Sequence, residues 1–90
     1  MALDIFLDRY VKIKRSESAA GIEYGKHMHR EFDKIIFVEK GTINVKIWDH
    51  DSQERDNIIT AQSSVFIPKD VYRQIIVLED SIFFKFYWRK

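Results

Sequence analysis

Lys34-Ile35-Ile36-Phe37-Val38, then Glu39-Lys40-Gly41, then Thr42-Ile43-Asn44-Val45-Lys46-Ile47-Trp48 is the stretch whose reading decides the fold. The first run is rich in β-branched and aromatic side chains, the usual content of a strand. Glu39-Lys40-Gly41 is short enough for a tight turn. Beyond it the chain alternates, with Ile43, Val45 and Ile47 on one side and Thr42, Asn44 and Lys46 on the other. A period of two is that of a half-buried strand, so a β-hairpin is expected here.

Outward from this hairpin the same pattern recurs. Residues 10–14 alternate, residues 16–21 form a small polar break, and residues 23–29 can form a strand with Glu23, Gly25, His27 and His29 on one face. Downstream, residues 49–57 read as a polar loop. Residues 58–60 and 64–67 read as short strands, Pro68-Lys69-Asp70 as a turn, and residues 72–78 and 81–88 as the last two strands. Residues 2–9 alone suit a helix. Short strands with turns every eight to twelve residues predict an all-β sandwich or jelly-roll barrel. One domain over residues 1–90 is expected, because a chain of this length has no room for a second core.

Composition narrows the function classes. A net charge of +1 and scattered Lys and Arg give no phosphate track, so nucleic acid is not an expected partner. Cysteine is absent, which removes disulfides, thiolate catalysis and Cys-type zinc sites. No apolar run is long enough to span a membrane, and a cytoplasmic protein is expected. Ile35 to Val38 and Ile82 to Phe84 are apolar on both faces. One face lines the barrel, and the other needs cover from the N-terminal segment or a second copy, with a homodimer the expected answer. Phe83, Phe84, Phe86, Tyr87 and Trp88 read as core and interface residues.

The chemistry centres on His27-Met28-His29. Gly21, five residues, His27-Met28-His29, four residues, Lys34, six residues, Gly41 resembles the first motif of the cupins. Gln62, five residues, Pro68, one residue, Asp70, two residues, Arg73, three residues, Val77 is similar in spacing to the second. The resemblance implies a cupin double-stranded β-helix. It also implies where a metal would sit in that family: on the two His, the Glu at the place of Lys34, and the His at the place of Arg73. Gln62 and Asp70 stand where the motif has glycines.

Two of four ligands thus remain, and the other two positions hold cations. Lys and Arg offer a divalent metal only positive donors. The expectation is therefore a pocket without a cofactor. In it His27 and His29, with Tyr72 beside them, are the candidate acid–base groups, and Lys34, Arg73 and Glu23 are the candidate ligand-binding groups. Ile36, Val38, Ile43 and Val45 would line it. Neighbouring cations disfavour imidazolium, and a neutral His beside an anion-holding Lys or Arg suits proton abstraction next to a carbonyl. The pocket is also similar to that of metal-free cupins that isomerise keto groups on nucleotide-linked deoxysugars, which implies a small anionic or sugar-like ligand and isomerase or epimerase chemistry. Two alternatives stay open. One is a metal enzyme using His27 and His29 with Glu23 or Asp33; the other is a non-catalytic ligand sensor or dimeric interaction module.

Overall fold

The computed structural model describes residues 11–51 and 53–89. Eight strands follow in order: β1 (Val11–Ser18), β2 (His27–Met28), β3 (Asp33–Lys40), β4 (Thr42–Trp48), β5 (Glu54–Thr60), β6 (Ser63–Ile67), β7 (Tyr72–Val77) and β8 (Ser81–Trp88). They form two four-stranded antiparallel sheets, β1-β8-β3-β6 and β2-β7-β4-β5. This is the predicted jelly roll. The expected hairpin does not form: β3 pairs with β6 and β8 and β4 with β5 and β7, so the turn at Gly41 carries the chain from one sheet to the other instead of joining paired strands. The candidate helix at residues 2–9 lies outside the described residues.

Three boundaries differ from expectation. β1 runs through Ser16 to Ser18, because all eight of its residues stay in register with β8. β5 starts at Glu54, inside the expected loop, where Arg55, Asp56 and Asn57 pair with Ile47, Lys46 and Val45. Asn57 secures this by donating its side-chain amide to the Val45 carbonyl at 3.0 Å. Between Glu23 and His29 only His27 and Met28 form a strand. The preceding residues run along the same edge of β7 through Gly21 N–H to Val77 O (2.8 Å), Val77 N–H to Ile22 O (2.9 Å) and Tyr24 N–H to Ile75 O (2.8 Å).

The core is where alternation brings branched side chains of the two sheets together. Ile36, Val38, Ile67 and Phe83 come from one sheet, and Ile43, Val45, Ile59, Ile75 and Val77 from the other. Each contributes about 1.5–3 kcal/mol when fully buried. The apolar filling stops part-way along three strands. Inward-facing residues pass from Val38 and Ile36 to Lys34 on β3, from Val77 and Ile75 to Arg73 on β7, and from Phe83 to Lys85 on β8. One end of the barrel is hydrocarbon and the other is cationic. On the outside of the first sheet, Ile13, Phe86, Ile35 and Phe66 form one cross-strand row, with Ile13 and Phe66 exposed.

Turn geometry explains the motif spacing. Gly21 and Gly41 both have φ of +90°, and Gln62 and Asp70, at the motif's other two glycine positions, keep φ of 67° and 69°. The backbone has held its left-handed turns while the side chains changed. A left-handed conformation costs a non-glycine residue roughly 1–2 kcal/mol. Gln62→Gly is therefore expected to stabilise the fold by about 1 kcal/mol, raising the melting temperature by roughly 5 °C. Gly41→Ala is expected to be severely destabilising, because its Cβ would collide with Ser81 Oγ and the Asp80 carbonyl as well as opposing the backbone. Thermal melts of both variants by circular dichroism check this; a Gly41→Ala protein as stable as wild type would contradict the geometry.

Candidate functional site

A cavity of about 410 Å³ opens at the cationic end of the barrel. β2 and its flank bring His27, His29 and Phe32; the segment before them brings Tyr24 and Gly25. Arg73 and Ile75 come from β7, Lys85 and Tyr87 from β8, and Lys12 and Lys14 from β1. Among the described residues no carboxylate lines it.

His27 and Arg73 are register partners across the β2–β7 pair. Arg73 donates from Nη2 to His29 Nε2 at 2.9 Å. Guanidinium has no acceptor, so Nε2 must carry the lone pair and the proton of neutral His29 sits on Nδ1. Burial, then the charges of Lys34, Arg73, His27 and Lys12, lower the His29 imidazolium to about 4. His29 is thus neutral at pH 7. Its ring meets Tyr87 edge-on, with centroids 5.5 Å apart. Burial pushes the Tyr87 hydroxyl up, opposed by the charge of Arg73 and a hydrogen bond with it.

Lys34 lies beneath this surface. It is 1% exposed, and its Nζ has no hydrogen-bond partner. Its nearest compensation is the Tyr87 ring, 5.1 Å from Nζ to centroid. Burial, followed by Arg73 and Lys85, lowers the ammonium to about 6. Arg73 is also buried, and its Nε has no partner. Among the described residues neither cation is ion-paired. The ion pairs lie elsewhere, at Arg15–Glu17, Lys46–Glu54, Lys46–Asp56, Arg55–Asp49 and Arg89–Glu31.

Several expected site residues are placed differently. Glu23 is exposed, opposite Ile76, and outside the cavity. Tyr24 and Gly25 are adjacent yet both line the cavity, so the two-residue period that was to carry Glu23 inward breaks between them. Tyr72 is 44% exposed, with its ring against Lys26 Nζ at 5.2 Å. Arg73 faces inward, and alternation sends its neighbour out. Asp33 is buried and accepts the Lys69 backbone N–H at 2.9 Å, tying down the β6–β7 turn. Ile36, Val38, Ile43 and Val45 are closed core rather than cavity wall, because side chains of two facing sheets fill the gap between them.

Sequence reading missed Lys12, Lys14, Lys85 and Tyr87. The clue for the last two was available: in residues 81–88, period two puts Ser81, Phe83, Lys85 and Tyr87 on one face, with a lysine in mid-strand. β1 offers the opposite lesson. Its apolar side is outside, where Ile13 is 62% exposed, and its lysines face the cavity.

Among the described residues the cavity offers a divalent metal two imidazoles and no carboxylate. Among the described residues no three His, Cys, Asp or Glu side chains come together. Neither Glu23 nor Asp33 joins His27 and His29 in the cavity, and one nitrogen of His29 is engaged by Arg73.

A two-sheet barrel with a histidine pair at its open end defines a cupin. Residues 10–84 match the family model "FdtA: WxcM-like, C-terminal", and the chain belongs to that family. No curated protein sequence matches this chain. Among solved structures it is similar to KdgF from Halomonas sp., at 17% identity and a TM-score of 0.75, covering 89% of this chain and 69% of that one. An RmlC-like cupin from Shewanella frigidimarina aligns at 19% identity with a TM-score of 0.76, over 89% and 67% of the two chains. An oxalate oxidase in complex with glycolate aligns at 18% identity and 0.79, over 89% of this chain but 42% of that one. These likenesses establish the fold. Among the described residues no helix is long and apolar enough to cross a membrane.

Lys34 gives a test of the electrostatics. Its ordinary pKa of 10.5 falls to about 6 on folding, so between those values the unfolded chain binds the extra proton. Stability therefore rises with pH across that window, by at most about 1.4 kcal/mol per pH unit. Wild-type protein is expected to melt higher at pH 8 than at pH 6. Lys34→Met should melt at least about 5 °C higher than wild type at pH 6 and show a flatter profile. Equal wild-type melting at the two pH values would refute the buried, uncompensated ammonium.

Proposed function

We propose that this cupin binds a small anionic or sugar-like metabolite in the cavity without a metal, and isomerises it by moving a proton next to a carbonyl. The observation that carries this reading is the Arg73–His29 hydrogen bond inside a cavity lined, among the described residues, by cations and no carboxylate. Arg73 and Lys85 would hold a carboxylate, a phosphate or the oxyanion that develops as the proton leaves. His29, kept neutral with its proton on Nδ1, would donate to the carbonyl oxygen. His27 has no protein partner for its ring and would serve as the base. The family match and the RmlC-like neighbour support a ligand-binding barrel, while the substrate and the proton transfer are our own reading.

The test has two arms. A thermal-shift screen of tag-free protein against small organic acids, phosphosugars and sugar nucleotides should find an anionic ligand, with His29→Ala and Arg73→Met weakening it about tenfold. With that ligand in deuterium oxide, wild-type protein should exchange the proton beside the carbonyl, and His27→Ala should slow exchange by about 10²-fold or more while retaining binding. Ligand binding without exchange would leave a sensor rather than an isomerase. Stoichiometric metal found by elemental analysis, and needed for binding, would overturn the metal-free reading.

A further inference from the structure

Charge in this chain is nearly balanced, with 15 Lys and Arg against 14 Asp and Glu, yet it is sharply segregated. Lys12, Lys14, Lys85 and Arg73 all line one cavity, Lys34 lies beneath it, and among the described residues no acid lines it. The register shows how deliberate the crowding is. Lys14 is directly opposite Lys85 across the β1–β8 pair, and Lys12 is opposite Tyr87, which is itself opposite Lys34 on β3. Like charges directly opposite one another on a sheet face are destabilising. Burial, then Lys14, Arg73 and Lys12, lower the Lys85 ammonium to about 8. Aromatic rings at Tyr24 and Phe83, 4.8 and 5.7 Å from Lys85 Nζ, are its neighbours of favourable sign.

β1 itself is held weakly on this side. Its interior-facing residues are Lys12, Lys14, Ser16 and Ser18, the register partners of Tyr87, Lys85, Phe83 and Ser81. None is apolar. Apart from the backbone ladder to β8, this face of β1 is fastened by the Ser18 hydroxyl bonding to the Tyr24 hydroxyl and by Lys12 Nζ over the Tyr87 ring, 5.8 Å from its centroid. An edge strand with a hydrophilic inner face gains little from burial, so whatever neutralises its lysines also fixes the strand.

We propose that the cavity takes an anion carrying at least two negative charges, held between Lys12 and Lys14 on β1 and Lys85 and Arg73 on the facing strands, and that this ligand locks β1 onto the barrel. The proposal rests on the cavity being a ligand site, and adds the charge of the ligand and the strand it fastens. Lys12 and Lys14 are two residues apart on one face, roughly 7 Å along the strand. One carboxylate does not span both; two anionic groups do. A monoanion would also leave most of the four cations uncompensated at close range. Arg73 Nε, buried without a hydrogen-bond partner among the described residues, points to the same deficit of negative charge on the floor of the site.

Isothermal calorimetry on the whole chain with acetate, succinate and inorganic pyrophosphate tests the charge, and hydrogen exchange of the β1 amides tests the lock. Succinate or pyrophosphate is expected to bind at least about tenfold more tightly than acetate, one further charge-assisted contact being sufficient for that. The advantage should shrink as salt is raised, and amides of residues 12–16 should gain protection on saturation. Lys14→Met, an exposed edge-strand change, should reduce the advantage to less than about threefold. The preferred dianion tells whether paired carboxylates or linked phosphates carry the charge. Acetate binding as tightly as both dianions, or unchanged β1 exchange at saturation, would overturn the proposal while leaving the ligand site standing. Failure of all three anions to bind would remove both.

Discussion

Everything distinctive about this barrel follows from the inward parity of β3, β7 and β8. Each strand delivers every second side chain to the interior, and on each the inward series changes from hydrocarbon to cation at a similar level. Lys34, Arg73 and Lys85 are then committed to the inside by the same geometry that buries Ile36, Ile75 and Phe83. They cannot turn outward without flipping the strand and exposing its core residues. The fold thus holds positive charge in place mechanically, and the apolar end supplies the stability that the cationic end lacks.

That constraint sets the state of the histidine pair. Arg73 lies opposite His27 in register and reaches the Nε2 of His29, so one residue meets both ends of the motif, His27 through strand pairing and His29 through the guanidinium. Because it only donates, it selects one tautomer of His29. Burial of the ring, helped by neighbouring positive charge including that of Arg73, keeps the imidazole neutral. A side chain that titrates near neutrality in water becomes a fixed hydrogen-bonding group here. Tyr87 packs edge-on to the imidazole, and Phe32 packs edge-on to Tyr87 in turn.

The architecture was largely legible in the sequence because it depends on short-range patterns. Alternation across Thr42–Trp48, the turn at Gly41 and the Pro68–Asp70 corner each report local backbone geometry, and each falls where the structure has it. The site was legible only in part. His27, His29 and Arg73 come together as expected, since motif spacing carries them. Glu23 and Tyr72 do not, and for Tyr72 the error was avoidable: two neighbours in one strand cannot both face the cavity. Lys12 and Lys14 were not legible at all. A strand with Val11 and Ile13 on one side reads as apolar-in, and only the pairing of β1 with β8 reveals that its polar side faces inward. Parity within a strand is local information, but which parity is inside is decided by the partner strand.

The left-handed turns and the replaced ligands together separate what the motif does for the fold from what it does for chemistry. At Gln62 and Asp70 the backbone keeps positive φ although glycine is gone, so the turns that aim β6 and β7 survive the change of residue. At Lys34 and Arg73 the side chains still face inward, so the change there alters only the charge presented. Two imidazoles beside carboxylates would gather a cation. The same imidazoles beside Lys34, Arg73 and Lys85 face a field that repels cations and attracts anions. Their lone pairs, one on each neutral ring, are then available for hydrogen bonds and proton transfer, and that of His29 is already committed to Arg73. Inverting the charge around an unchanged histidine pair is therefore enough to change the class of molecule the barrel can hold, with no change in the path of the chain.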